Sequence, residues 1–190
     1  MKFIRITAIA LLGMAIIPAI ACNANSEQGS TPTPTAAAGF TTHTDNINGF
    51  SISVPDGWES FQLNTIGIIF HCPQQCGAIS ARAGVTVTNI GYSSVQAYYT
   101  EEIAQLFEVE DRNNLIFKED LTVEGITAIK FIYTFDSPTY YDDVMNIENM
   151  ECIFINQQGL WSIIMQCDSA CWNTYKPTFD TILASFQLLD

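Results

Sequence analysis

Basic residues are scarce in this 190-residue sequence, and so are histidines. Seven Lys and Arg side chains stand against 20 Asp and Glu side chains, which gives a net charge of −13 at pH 7. No basic cluster is available to neutralise phosphates, so nucleic acid is excluded as a partner. Neither of the two histidines lies beside a serine or cysteine in a nucleophile motif. We therefore expect neither an enzyme nor a bound cofactor.

The longest apolar run is too short to span a bilayer. It extends over Ile6–Ile20, whereas a spanning helix needs about 20 apolar residues. Lys2 and Arg5 precede the run, and the small residues of Ala19-Ile20-Ala21 end it directly before Cys22. A basic start, a short apolar run and small residues before a cleavage point are typical of an export signal.

This export signal resembles the lipobox of bacterial lipoproteins, except that Ala19 stands where leucine is commonest. The resemblance implies that residues 1–21 are a lipoprotein signal peptide, that cleavage precedes Cys22, and that lipid is attached to this cysteine. Each buried methylene contributes about 0.8 kcal/mol, so two or three acyl chains hold a domain firmly at a membrane. The expected location is extracytoplasmic, lipid-anchored to the cell membrane. The alternative is an ordinary secretory peptide that is cut after Ala21.

Residues 22–39 are predicted to be the lipidated cysteine and a disordered tether rich in Thr, Pro and Ala. Asn23–Ala38 contains no aromatic or large aliphatic residue and one charged residue, Glu27. Such a segment cannot bury enough apolar surface to offset the entropy lost on ordering. Its sixteen residues would reach at most about 50 Å when extended, so the domain behind it would stand off the bilayer.

Residues 40–190 are long enough for one domain, and their pattern predicts mainly strands. Phe50-Ser51-Ile52-Ser53-Val54 alternates strictly and stops at Pro55-Asp56-Gly57. Glu124-Gly125 and Gln157-Gln158-Gly159 are typical of hairpin turns. The predicted strands cover 50–54, 58–63, 66–70, 85–90, 115–123, 126–135, 150–156 and 160–167, with a polar loop over 136–149.

Two further segments have helical spacing. Apolar residues recur at that spacing over Val95–Phe107, and Ser93 with Gln96 has the form of a capping box. Aromatic and aliphatic residues of Trp172–Phe186 share one helical face, with Pro177 tolerated only in a first turn or at a kink. Because strands outnumber helices and short turns join them, we predict an antiparallel sheet carrying at least two helices, which is an α+β fold.

Three motifs, in this order along the chain, resemble the PsbP-like domain family. They are Phe50–Trp58 in the form F-x-I-x-x-P-x-G-W, Val123-Glu124-Gly125 followed by Ala128 and Tyr133, and Phe179, Ile182, Ser185 and Phe186 in the form F-x-x-I-x-x-S-F. The resemblance implies an α/β/α sandwich, with a central antiparallel sheet and helices on its faces. Photosynthetic members are accessory subunits or assembly factors of photosynthetic complexes, and the family shares no catalytic residues. The tether and the cysteines depart from those members.

The domain contains an odd number of cysteines: Cys72, Cys76, Cys152, Cys167 and Cys171. Four residues of extended chain span about 13 Å, whereas the α-carbons of bridged cysteines lie within about 7 Å. A local bridge therefore closes only where the chain turns, as Pro73 and Asp168-Ser169 would favour. We predict local disulfides, Cys72–Cys76 and Cys167–Cys171, with Cys152 buried as a small apolar residue. A cross-link between the two loops is the alternative.

The same cysteine loops also suggest two chemical alternatives. One is a zinc or copper site, for which the soft ligands would be His71, Cys72, Cys76, Cys167 and Cys171. The other is redox activity at Cys171, whose thiolate the following helix N-terminus would stabilise. The Cys-x3-Cys spacing is much less specific than paired Cys-x2-Cys motifs.

These observations lead to one main functional hypothesis and one alternative. The main hypothesis is a membrane-anchored, extracytoplasmic lipoprotein that serves as a noncatalytic binding or accessory module. Its membrane contact is the N-terminal lipid, and its partner is an unidentified protein or small ligand. The alternative is a metal-handling or thiol-redox lipoprotein that uses the Cys and His loops.

Overall fold

The computed structural model describes residues 39–109, 113–138 and 144–189. The predicted signal peptide, the predicted lipid attachment at Cys22 and nearly all of the predicted tether lie outside these ranges. Within them, no helix is both long and apolar enough to cross a membrane.

The described residues form ten strands and three short helices. The strands are β1 Phe40–Asp45, β2 Phe50–Pro55, β3 Glu59–Gln62, β4 Gly67–Cys76, β5 Ile79–Thr88, β6 Asn113–Val123, β7 Ile126–Pro138, β8 Val144–Asn156, β9 Gly159–Asp168 and β10 Gln187–Leu188. The helices are α1 Val95–Tyr98, α2 Ala104–Val109 and α3 Trp172–Ala184. A π-helical turn, Tyr99–Ile103, connects α1 to α2, and a 3-10 turn, Ser169–Cys171, precedes α3.

A seven-stranded antiparallel sheet is the centre of the fold. Its strand order is β3-β4-β5-β9-β8-β7-β6, and β1, β2 and β10 form a separate three-stranded sheet. The small sheet and α3 pack on one face of the large sheet, where Phe50, Trp161 and Phe179 belong to one buried cluster. We call this face the core face.

The helical segment 95–109 lies on the opposite face, which we call the polar face. Tyr98 and Ile103 belong to a second buried cluster with Phe131 and Ile153 of β7 and β8. This cluster covers the part of the face nearest β7 and β8. The predicted α+β architecture, a central antiparallel sheet with helices on its faces, is confirmed. The second sheet was not predicted.

Both predicted hairpins and the first alternating strand are confirmed. Glu124 and Gly125 both have positive φ, at 50° and 76°, as a two-residue turn between twisted strands requires. The polar loop predicted over 136–149 is wrong in large part, because β7 continues to Pro138 and β8 begins at Val144. The two strands pair there, and backbone hydrogen bonding holds polar residues in an extended conformation.

The helix boundaries differ from prediction by small amounts. The N-cap of α1 is Ser94 rather than Ser93, and its Oγ accepts a hydrogen bond from the N–H of Ala97 at 3.2 Å. Pro177 lies in the second turn of α3 and not in the first. The carbonyl that loses its hydrogen bond there belongs to Asn173, which is exposed, so water can satisfy it.

Candidate functional site

A disulfide bond joins Cys76, at the end of β4, to Cys171, directly before α3. Their α-carbons lie 6.1 Å apart, and 95 residues separate them in the sequence. Nearby, the N–H of Ala78 donates a hydrogen bond to Oδ2 of Asp168 at 2.8 Å. The disulfide therefore fastens the β4–β5 turn to the chain that enters α3.

The two predicted local disulfides, Cys72–Cys76 and Cys167–Cys171, are wrong. The structure has the alternative, a cross-link between the two loops. Cys72 and Cys76 both lie in β4, where the extended chain holds their α-carbons too far apart for a bond. The turn expected at Pro73 does not form, because the strand continues there with an irregularity between His71 and Gln75.

The other three domain cysteines are buried free thiols: Cys72, Cys152 and Cys167. The prediction that Cys152 is a buried, small apolar residue is confirmed, since its exposed fraction is 0%. Burial raises the pKa of the Cys152 and Cys167 thiols to about 12, so they stay protonated at neutral pH. Because the thiolate is the reactive form, these groups are structural. Cys171 is bonded to Cys76, so it does not carry the free thiolate that the redox alternative assumed.

The described residues do not bring together the ligands of the alternative zinc or copper site. Among the described residues, no group of three or more His, Cys, Asp or Glu side chains could hold a metal ion. His71 and Cys72 are consecutive in β4 and therefore point to opposite faces of the sheet. Cys72 belongs to the cluster on the core face, whereas the His71 ring contacts that of Phe61, with centroids 5.1 Å apart, on the polar face. Cys76 and Cys171 are used in the disulfide.

A continuous row of polar side chains crosses the polar face. Cross-strand pairing places one residue from each of six neighbouring strands in this row. Its members, from β7 to β3, are Tyr133, Asn149, Gln166, Arg82, His71 and Glu59. Directly paired residues of antiparallel strands project to the same face, so the six side chains form one line. We call it the polar row.

Two amides at the middle of the polar row lack hydrogen-bond partners. Asn149 is 0% exposed and Gln166 is 7% exposed. Neither side-chain polar atom of Asn149 nor Nε2 of Gln166 has a partner in the described part of the chain. A buried polar group left unsatisfied costs about 1–3 kcal/mol. Apolar residues at positions 149 and 166 would make the fold more stable, so the two amides indicate a role other than packing.

Arg82 is the next residue of the polar row, and within the described ranges it has no ion-pair partner. Of the four basic side chains in the described ranges, Lys118, Lys130 and Lys176 each form an ion pair. No carboxylate among those residues pairs with Arg82. Burial lowers the pKa of Arg82, although a guanidinium stays protonated near pH 7. The chain has 20 acidic residues, and yet this half-buried arginine is not paired with a carboxylate of the described ranges. Arg82 is therefore a candidate binding residue.

The neighbour of Arg82 at the next strand is a histidine whose protonation is disfavoured. Burial, followed by the charge of Arg82, lowers the pKa of His71. The imidazole is therefore predominantly neutral at pH 7, and Arg82 supplies the positive charge of the row.

A buried carboxyl group lies beside the row, on the side covered by the helical segment. Glu151 is 7% exposed and accepts hydrogen bonds from Ser162 Oγ at 2.6 Å and from Tyr133. Burial raises the pKa of Glu151, and these two hydrogen bonds act against that shift. Burial is the main cause of the raised pKa of Glu151, and both hydrogen-bond donors to its carboxyl group are neutral. The hydrogen bonds of Glu151 are therefore made within the protein.

The core face carries a shallow groove that is a weaker candidate. Its volume is about 310 Å³, and Phe117, Ile132 and Trp172 line it together with two lysines. Both lysines, Lys130 and Lys176, are already paired with carboxylates. Glu148 also lines the groove, so the groove offers no unpaired positive charge.

The sequence pattern does not predict the polar row. Asn149 falls in the predicted loop over 136–149, and Gln166 falls in the predicted strand over 160–167. One sequence feature does point to members of the polar row, namely a polar residue in a predicted strand with apolar residues on both sides. Gln166, between Met165 and Cys167, is an example. That signal shows which residues interrupt the pattern, but only strand register shows that they share a line.

Comparison with protein families gives a match to the PsbP family over residues 38–188. The match covers every described residue except residue 189. A comparison with curated proteins finds no significant match.

Several solved structures share the fold at low sequence identity. The cyanobacterial PsbP protein CyanoP of Synechocystis sp. PCC 6803 is 16% identical, with a TM-score of 0.56, over 85% of this chain and 98% of its own. The Ran-binding protein Mog1p of Saccharomyces cerevisiae is 9% identical, with a TM-score of 0.55, over 80% and 96%. Protein PA94 of Pseudomonas aeruginosa is 13% identical, with a TM-score of 0.52, over 74% and 91%. At these identities the likeness is one of fold.

Proposed function

The chain belongs to the PsbP family, and on this premise we propose that it is a noncatalytic binding or accessory module, held on the outer side of the cell membrane by lipid on Cys22. The polar row is the observation that carries the binding role. Asn149 and Gln166 have buried polar atoms without partners, and Arg82 forms no ion pair with a carboxylate of the described ranges. A ligand or a partner protein that reaches this face would satisfy them.

The chemistry of the reactive residue types supports a noncatalytic role. The thiols of Cys152 and Cys167 are protonated because they are buried. Glu151 is enclosed by Tyr133 and Ser162. Catalytic groups lie where substrate can reach them, whereas Cys152, Cys167 and Glu151 are all buried.

The comparisons support a binding role for the fold. Mog1p is described as a Ran-binding protein, so the same architecture carries protein binding in a chain of very different sequence. Fold likeness alone does not transfer a partner, and the proposal here is limited to the kind of activity. The family itself supplies the expectation of an accessory module.

The net charge and the tether together would determine where the domain lies relative to the membrane. A net charge of −13 disfavours adhesion of the domain to anionic lipid headgroups. With acyl chains at Cys22 and a tether of about 50 Å at full extension, the domain would search a small volume above its anchor.

Photo-crosslinking in intact cells tests whether the polar face binds a partner. Phe61, on the polar face, is 51% exposed, and Phe117, on the core face, is 41% exposed. Replacing each in turn with p-benzoylphenylalanine changes one exposed aromatic residue into another. We expect protein or ligand adducts from position 61 and few from position 117.

Position 117 is the matched control for position 61 in the crosslinking experiment. Adducts obtained mainly from position 117 would move the binding surface to the groove of the core face. Equal adducts from both positions, or none from position 61, would contradict a specific binding surface on the polar face.

A further inference from the structure

We propose that Arg82 and Gln166 form a binding site for the carboxylate of a small organic acid with an apolar body. The inference deepens the proposed function, since it assigns the ligand of the same sheet face. It rests on four observations: an unpaired guanidinium, an unpaired amide directly opposite it, their depth in the face, and an apolar strip beside them.

The two donors are adjacent by strand register. Arg82 of β5 pairs directly with Gln166 of β9, and side chains of such a pair have Cβ atoms about 4.5–5.5 Å apart. Asn149 of β8 follows as the direct partner of Gln166 and is 0% exposed. The guanidinium offers N–H donors in a fixed fork, and Nε2 of Gln166 offers two more.

The donor set selects an acceptor ligand with a negative charge. The guanidinium accepts no hydrogen bonds, and the atom of Gln166 that lacks a partner is its donor nitrogen. A carboxylate is planar and matches the guanidinium fork with two parallel hydrogen bonds. The half-buried position of Arg82 excludes much of the water that would otherwise weaken the pairing.

The charge of the whole protein favours a monoanion over a polyanion. A net charge of −13 repels phosphate and sulfate dianions more strongly than it repels a single carboxylate. Arg82 is one positive group, and Glu59 ends the polar row two strands away. The site therefore suits one negative charge.

The residues beside the site suit an apolar ligand body. Ile164, Gly84 and Ile69 are directly paired across β9, β5 and β4, one row along from the donors. A Cβ at Gly84 would lie 3.5 Å from side-chain atoms of both isoleucines, so these side chains flank a position without a side chain. Phe61 continues the strip on β3 and is 51% exposed.

Titration calorimetry with defined probes tests the site on the folded protein. The probes are 3-phenylpropionate, its neutral amide, inorganic phosphate, and a short peptide with an N-terminal acetyl group and a C-terminal phenylalanine carboxylate. We expect 3-phenylpropionate to bind and its amide to bind at least about tenfold more weakly, because the amide leaves the guanidinium without an anion. Phosphate is expected to bind more weakly than the acid.

The peptide arm identifies the source of the carboxylate. Tighter binding of the peptide than of the free acid would assign the site to a chain terminus. Tighter binding of the free acid supports the small-molecule ligand proposed here, and the opposite order would overturn that part of the proposal.

Matched variants identify the residues. Arg82→Gln is expected to weaken 3-phenylpropionate binding by about tenfold or more, Arg82→Lys by less because it retains the charge, and Gln166→Leu by a few-fold. Lys176→Gln removes one positive charge from α3 and should leave binding unchanged. Thermal unfolding of each variant shows that it is folded. Unchanged binding in Arg82→Gln, equal binding of the amide, or no binding of the acid would overturn the proposal.

The two proposals fail in different ways. If position 61 captures a partner in cells and no carboxylate binds, the binding module stands and this ligand assignment falls. If the acid binds through Arg82 and position 61 captures nothing, the site stands and the proposed role of the face in the envelope falls.

Discussion

Replacing Cys76 and Cys171 by alanine should lower the free energy of unfolding by roughly 4 kcal/mol. The bond links residues 95 positions apart, and the entropy that a disulfide removes from the unfolded chain grows with the length of the closed loop. For a domain of this size the melting temperature should fall by roughly 10 °C. Urea unfolding of the Cys76→Ala, Cys171→Ala double variant beside wild type measures the change.

Reduction provides the internal control for this prediction. Dithiothreitol should destabilise wild type by a similar amount and have no effect on the double variant. Cys152→Ala, which leaves the disulfide intact, should keep its sensitivity to the reductant. Local bridges close loops of only a few residues and would contribute less. A peptide map showing Cys72–Cys76 or Cys167–Cys171, or insensitivity of wild type to reduction, would contradict the structure.

The substitution Phe179→Ala should cost roughly 3–5 kcal/mol of stability. Phe179 is 0% exposed, and its ring lies 5.7 Å from that of Trp172 and 6.0 Å from that of Tyr175, between centroids. It belongs to the same buried cluster as residues of β2 and of the large sheet. Truncation therefore leaves a cavity where α3 meets the core face.

The control for Phe179 lies on the same helix. Thr174 is exposed, and Thr174→Ala should change the free energy of unfolding by about 0.5 kcal/mol or less. Chemical unfolding of both variants gives the comparison. A cost below about 1 kcal/mol for Phe179→Ala would mean that α3 is not part of the core.

Parts of the fold with a strong periodic pattern were predictable from sequence. The alternation of Phe50–Val54 puts Phe50, Ile52 and Val54 into the core, with exposed fractions of 0%, 0% and 5%. The helical stripe ending at Phe186 was predicted for the same reason, since Trp172, Tyr175, Phe179 and Ile182 are all buried in α3. In both cases one element carries its own signal, because burial of one face repeats with the period of the backbone.

Features set by pairing were not predictable in this way. β1 (Phe40–Asp45) is polar after its first residue, and it forms a strand because it pairs with β2. The cross-link between Cys76 and Cys171 depends on two loops that are adjacent only after the sheet has formed. The polar row depends likewise on the register of six strands, which no local pattern determines.

Mass spectrometry of the mature N-terminal peptide, combined with cell fractionation, is the most direct test of the claim that this domain works from a lipid anchor. We expect the peptide to begin at Cys22, to carry diacylglycerol on its sulfur and to be recovered with membranes, whereas a Cys22→Ala variant should not be recovered with them. An unmodified N-terminus on protein recovered wholly from the culture fluid would contradict it.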